Sequence, residues 1–213
     1  MNDVLLPFGS AGYLVVLMLL IGARGADFFS TWVATPGLRL EANPVARWLG
    51  WKWGLAVNLL IVLGIAVWLL PAVILITTSL LVAARNFQSA WLSRTMGEQA
   101  YRNWLADRIC EAQRGLFFFC VGAQSLIHAG IGVALVLFGG RSVVLLGMGM
   151  GCLGYAFVVP LFTWLGTRGL LRRGRSLSEF NLQSDVYPDQ TGVSRTRRPG
   201  QSDPGLSPTA GGF

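Results

Sequence analysis

Four stretches of the chain are apolar almost without interruption, and polar residues collect between them. The first runs from Ala11 to about Ala34, after Pro7, Gly9 and Ser10, which supply a start signal and a helix cap. The second, residues 54–84, exceeds the ~20 residues that cross a bilayer and has Pro71 near its middle, which predicts one kinked or tilted helix. The third, residues 115–138, and the fourth, residues 142–166, flank the turn Gly139-Gly140-Arg141 and predict an antiparallel hairpin. No Lys or Arg precedes the first run, and no small-x-small cleavage site follows it before Arg24 and Asp27, so it reads as a retained helix rather than a secretory signal.

The expected fold class is therefore all-α, an integral membrane four-helix bundle. Its domain organisation is a lead over residues 1–10, a four-span transmembrane domain over 11–170 and a tail over 171–213. Between spans two and three, residues 85–114 interleave Phe87, Trp91, Tyr101, Trp104 and Ile109 with Arg, Glu and Asp at spacings near three and four. That pattern predicts an amphipathic helix pair lying in the membrane interface, with Glu98 and Arg102 as a favourable i,i+4 pair. From Ser176 onward Ser, Gly, Pro, Asp, Gln and Arg dominate, a composition that cannot bury a core and predicts a disordered basic tail.

Composition strengthens the membrane reading. Of the 213 residues, 53% are hydrophobic and 13% charged, against about 25% charged in an average soluble domain. The formal charge of +7 would suggest nucleic acid for a soluble protein. Here most of the arginines sit beside apolar runs, where they meet lipid head groups and resist translocation, so no nucleic-acid partner is expected. Counting Lys and Arg on a four-span topology places Arg85, Arg94, Arg102, Arg108 and Arg114 on the same side as the tail's Arg168, Arg172, Arg173 and Arg175. The other side then holds Arg39, Arg47, Lys52 and Arg141, which predicts both termini in the cytoplasm. One histidine excludes His-based metal clusters within a single copy, and Cys110, Cys120 and Cys152 form no disulfide framework or zinc pattern. No metal and no cofactor is expected.

Ionisable groups inside an apolar span are expensive, which singles out Arg24 and Asp27 in the first run. They stand three apart on one helix, so an internal ion pair accounts for both; Thr31 extends the face at i+4 from Asp27 and would also line a polar cavity. After Thr35-Pro36-Gly37 comes Glu41-Ala42-Asn43-Pro44, in which Asn43 caps a helix beginning at Pro44. Glu41 is left without a structural explanation.

The order Asp27-Phe-Phe-Ser-Thr31, a short loop, Glu41-Ala-Asn43-Pro44, then Lys52 ahead of a further span resembles a family of small bacterial and archaeal integral membrane proteins of unassigned function. The resemblance covers roughly Arg24 to Asn58. It implies a helical domain in the bacterial inner membrane and supplies no substrate.

Further along, Asn58, Gln124 and His128 are the remaining polar candidates within spans, the last two at i,i+4. Interhelical hydrogen bonding is their commonest use, and pairing of His128 with Asp27 is the alternative. Ser125 and His128 share one helix, with no Gly-x-Ser motif and no source for an oxyanion hole, which argues against a serine hydrolase. Gly147 and Gly151 make a small-xxx-small face for another span, a second copy or a membrane partner. Trp48, Trp51 and Trp53 read as an aromatic belt at the outer interface.

The leading functional expectation is a non-enzymatic multi-pass protein, with membrane lipids around it. Asp27, Thr31, Glu41 and Asn43 would form a polar site near the outer leaflet for an ion, a lipid head group or a small solute, with Arg24, Asn58, Gln124 and His128 as secondary candidates. The alternatives are a scaffold or accessory subunit, and an enzyme acting on lipid-linked substrates with Asp27 and Glu41 as carboxylates.

Overall fold

A computed structural model of the chain describes residues 5–38, 44–111 and 114–186. They form six helices: α1 (Ala11–Ala34), α2 (Pro44–Ile65), α3 (Leu69–Met96), α4 (Glu98–Glu111), α5 (Arg114–Phe138) and α6 (Val143–Val186). Five contain segments long and apolar enough to cross a membrane, namely Ala11–Ala34, Val45–Ile65, Leu69–Met96, Gly115–Phe138 and Val143–Arg168. The fold is all-α, and the expected four-helix bundle is corrected to five candidate spans.

The error lies in the second apolar run, which is two antiparallel helices and not one kinked one. Ala66, Val67 and Trp68 make the turn, and because all three are apolar, hydropathy runs through it unbroken. The backbone there is satisfied by protein instead of water. Trp68 N–H donates to the Ile65 carbonyl at 2.9 Å and Leu6 N–H donates to the Val67 carbonyl at 2.9 Å. Pro71 falls in the first turn of α3, where a missing N–H breaks no intrahelical bond, so it marks a helix start rather than a kink. The kink belongs to α2, at Gly50, whose φ of 63° only glycine adopts without strain.

The start of α1 is as expected, with Tyr13 N–H donating to the Ser10 side chain at 3.2 Å. Positions 13, 16, 20, 23, 27, 30 and 34 of α1 alternate spacings of three and four, as do 72, 76, 79, 83, 86, 90 and 93 of α3. That is the spacing of left-handed helix pairing. Arg24 bonds Ser79, Asn86 bonds Ser30, and Ser93 bonds Ala34, so the two helices run parallel. Near the start of the pair, Tyr13, Val16, Leu20 and Ala72 are buried with Val62 and Ala66 of α2 as an apolar core.

Helix α6 also runs parallel to α3. A Cβ added at Gly147 would meet Val73 at 2.8 Å, and one added at Gly151 would meet Thr77 at 2.7 Å, so the glycine face is filled by α3 of the same chain. Helix α5 returns antiparallel, with Gly132 and Gly149 in close backbone approach. Beyond Arg168, α6 continues to Val186, into the stretch that composition assigns to the tail, and residues 187–213 lie outside the described residues. The compact unit that holds the five candidate spans ends at Arg175.

The predicted sidedness also changes. Glu98 accepts the Gly37 N–H at 2.6 Å, and Arg94 donates to the Val33 carbonyl at 2.7 Å. The first loop and the segment after α3 therefore share one end of the bundle, not opposite ends. That segment holds one helix in place of the expected pair, because Arg85 to Met96 continue α3 and Gly97, at φ 80°, separates it from α4. Glu98 binds the loop backbone instead of Arg102.

Candidate functional site

Arg24 leaves α1 at mid-helix and meets three helices at once. It donates Nη1 to Asp27 Oδ2 at 2.8 Å and to Ser79 Oγ at 3.1 Å, and Nε to Asn58 Oδ1 at 2.9 Å, with a further contact from Nη2 to the same oxygen. The pair is shielded, with the two side chains 23% and 18% exposed. An arginine at the centre of a span costs roughly 2.5–3.5 kcal/mol on insertion scales. Here that cost is offset by one carboxylate, an amide and a hydroxyl from α1, α2 and α3. The expected Arg24 and Asp27 ion pair is present, and Asn58, secondary by sequence, is one of its main partners. Asn58 is held in turn by donating to the Gly54 carbonyl at 2.7 Å.

One turn further along α1, Thr31 and Ser30 donate to the Asp27 carbonyl at 2.9 and 2.8 Å. Asn86 of α3 donates to Thr31 Oγ1 at 3.0 Å and to Ser30 Oγ at 3.3 Å. Glu41 and Asn43, the other half of the candidate motif, lie outside the described residues.

These side chains line a cavity of about 1240 Å³. It extends from Arg24 and Asn58 at mid-bundle to Leu38, Val45, Arg47 and Tyr101 at the end where α1 and α3 finish. Asp27, Thr31, Asn58, Asn86 and Gln124 supply polar lining, while Val57, Ile61, Leu105 and Phe162 supply apolar walls. Burial pushes the Tyr101 phenol above its ordinary range, so it enters the wall as a neutral hydroxyl at physiological pH.

The sequence pattern puts Arg85 at the start of a surface connector, but it is a part-buried residue of α3 that lines the cavity. It donates Nη2 to Thr163 Oγ1 of α6 at 2.9 Å. Its Nη1 is buried without a hydrogen bond of good geometry, and its guanidinium also interacts with the Tyr155 phenol of α6. The signal available in sequence was that Arg85 continues the apolar run without a breaker; no glycine or proline intervenes until Gly97.

Other sequence candidates go elsewhere. His128 Nδ1 pairs with the Gln124 carbonyl of its own helix at 2.8 Å and its ring packs on Tyr155 of α6 at 4.8 Å, so it is a packing residue and not a partner of Asp27. Ser125 donates to the Val121 carbonyl at 2.9 Å, which fits no nucleophile. Trp51 packs edge-on against Phe28 and donates its indole N–H to the Pro36 carbonyl at 3.0 Å, while Trp48 and Trp53 are exposed.

Comparisons with protein-family models, curated proteins and solved structures find no match.

Proposed function

We propose that the chain is a multi-pass membrane protein that admits a polar solute, an ion or a lipid head group into a chamber between its spans, from the cytoplasmic side. The observation that carries this reading is the cavity of about 1240 Å³ that Arg24, Asp27, Thr31, Asn58 and Asn86 share. A bundle that needed only to pack would fill such a space with apolar side chains, because each polar group kept within a span opposes insertion.

Sidedness follows from charge. Among the described residues, Arg47, Lys52, Arg94, Arg102, Arg108 and Arg168 lie towards the end where α1, α3 and the span of α6 finish, and Arg141 lies alone at the other. Cytoplasmic ends collect Lys and Arg, so that end is cytoplasmic. Five crossings then put the N-terminus outside and the end of the last span, Arg168, inside, in place of two cytoplasmic termini. The site moves with them, from the outer leaflet to the cytoplasmic half of the membrane.

Cysteine labelling in sealed vesicles tests the chamber. With Cys110, Cys120 and Cys152 replaced, Thr31→Cys and Asn58→Cys are expected to react with a membrane-impermeant maleimide offered from the cytoplasmic side. Leu60→Cys, on an exposed apolar position of α2, is expected to stay unlabelled. If neither cavity position is labelled from either side, the space holds no water and the reading fails.

A further inference from the structure

We propose that Arg85 is an anion-binding residue of this cavity and that its ligand is a phosphate group, either free or on a lipid head group. The proposal rests on the chamber reading above and names the chemistry the chamber selects.

The two arginines deep in the cavity are in different states. Arg24 has its donors taken by Asp27, Asn58 and Ser79. Arg85 has only neutral partners, the Thr163 hydroxyl at 2.9 Å and the Tyr155 phenol, and its buried Nη1 makes no hydrogen bond of good geometry. No carboxylate lies within ion-pair distance of it among the described residues, where the ion pairs are Arg24 with Asp27 and Arg108 with Glu111. A guanidinium cannot shed its proton to relieve burial, so it holds a full charge in a low dielectric and attracts an anion.

The charge around it points the same way. Arg24 and Asp27 neutralise one another, which leaves Arg85 as the cation deep in the cavity with no carboxylate in ion-pair range among the described residues. Phosphate suits this wall better than a spherical anion does. It offers several acceptor oxygens to a planar fork of donors, and the Thr163 hydroxyl stands beside the same guanidinium. The apolar walls of Val57, Ile61 and Phe162 leave room for acyl or glycerol carbon beside it.

The test uses the full chain in neutral detergent and reads melting temperature and ligand affinity. Inorganic phosphate, phosphatidylglycerol and diacylglycerol are added in turn at constant ionic strength. Phosphate or phosphatidylglycerol is expected to stabilise the wild type, since a ligand of the folded state raises its stability with concentration, and diacylglycerol is not. Stabilisation by inorganic phosphate identifies the free anion; stabilisation by phosphatidylglycerol alone identifies the head group. Arg85→Gln is expected to weaken either by about ten- to a hundredfold, the value of a hydrogen bond to a charged group. Arg85→Lys, which keeps the charge and loses the fork, covers the case in which Arg85→Gln does not fold, and is expected to bind more weakly than wild type. Undiminished binding in both Arg85 variants, or equal effects of all three additives, overturns the proposal. Labelling at Thr31→Cys without any phosphate effect overturns the anion assignment and leaves the chamber standing, whereas absence of labelling removes both.

Discussion

The pairing of α1 with α3 has two halves built on one spacing and from opposite materials. In the first, Tyr13, Val16 and Leu20 meet Ala72 and exclude water. In the second, Arg24, Asp27, Ser30 and Thr31 meet Ser79, Asn86 and Ser93, and a cavity opens beside them. The geometry of a helix pair thus does not decide what the pair does. The first half spends its positions on packing and fixes the parallel register. The second inherits that register and presents side chains from sites more than fifty residues apart at hydrogen-bonding distance.

The largest effect separating the halves is expected from Asp27→Asn, which strips Arg24 of its carboxylate. A loss of about 3 kcal/mol is expected, read as lower abundance and melting temperature in detergent. Replacing both partners, as Arg24→Met with Asp27→Leu, should restore most of that stability, because an apolar pair leaves no buried charge. If the double variant is as unstable as the single one, the ion pair does more than neutralise itself.

In the apolar half, Leu20→Ala is expected to cost about 2–3 kcal/mol, since Leu20 is fully buried and leaves a cavity. The same measurement on Gly151→Leu should show a loss of roughly 1–3 kcal/mol by overpacking against Thr77 of α3. A neutral result there would mean that α6 does not rest on α3. The smallest effect is expected from Asn86→Ala. An interhelical hydrogen bond within a membrane averages about 0.6 kcal/mol, so this variant should melt almost as wild type does while altering the cavity wall. A large loss at Asn86 would erase the distinction between a packing half and a binding half.

Much of this was legible in the sequence. Ala11 to Ala34, residues 115–138 and the hairpin after them follow from apolar length and the Gly139-Gly140 turn. The Arg24 and Asp27 pair follows from i,i+3 spacing and the cost of charge in lipid. The fifth span did not, because a turn of Ala66, Val67 and Trp68 has no polar punctuation, its backbone being satisfied by Leu6 and Ile65. That omission propagated. Missing one crossing put the first loop and the segment after α3 at opposite ends of the bundle and turned Arg85 from a wall residue of the cavity into a surface cation. Pro71 carried the correction, read as a first-turn proline instead of a kink. The three-four spacing shared by α1 and α3 carried the pairing, although no local rule says which two helices share a seam.

Access to the cavity from the cytoplasm requires a topology of five crossings with the cationic end inside. Reporters that are active on one side of the membrane only, fused in turn before residue 1 and after residue 175 of the intact chain, measure it directly. The account predicts an external signal at the N-terminal fusion and a cytoplasmic one after residue 175; both fusions on the same side would contradict it.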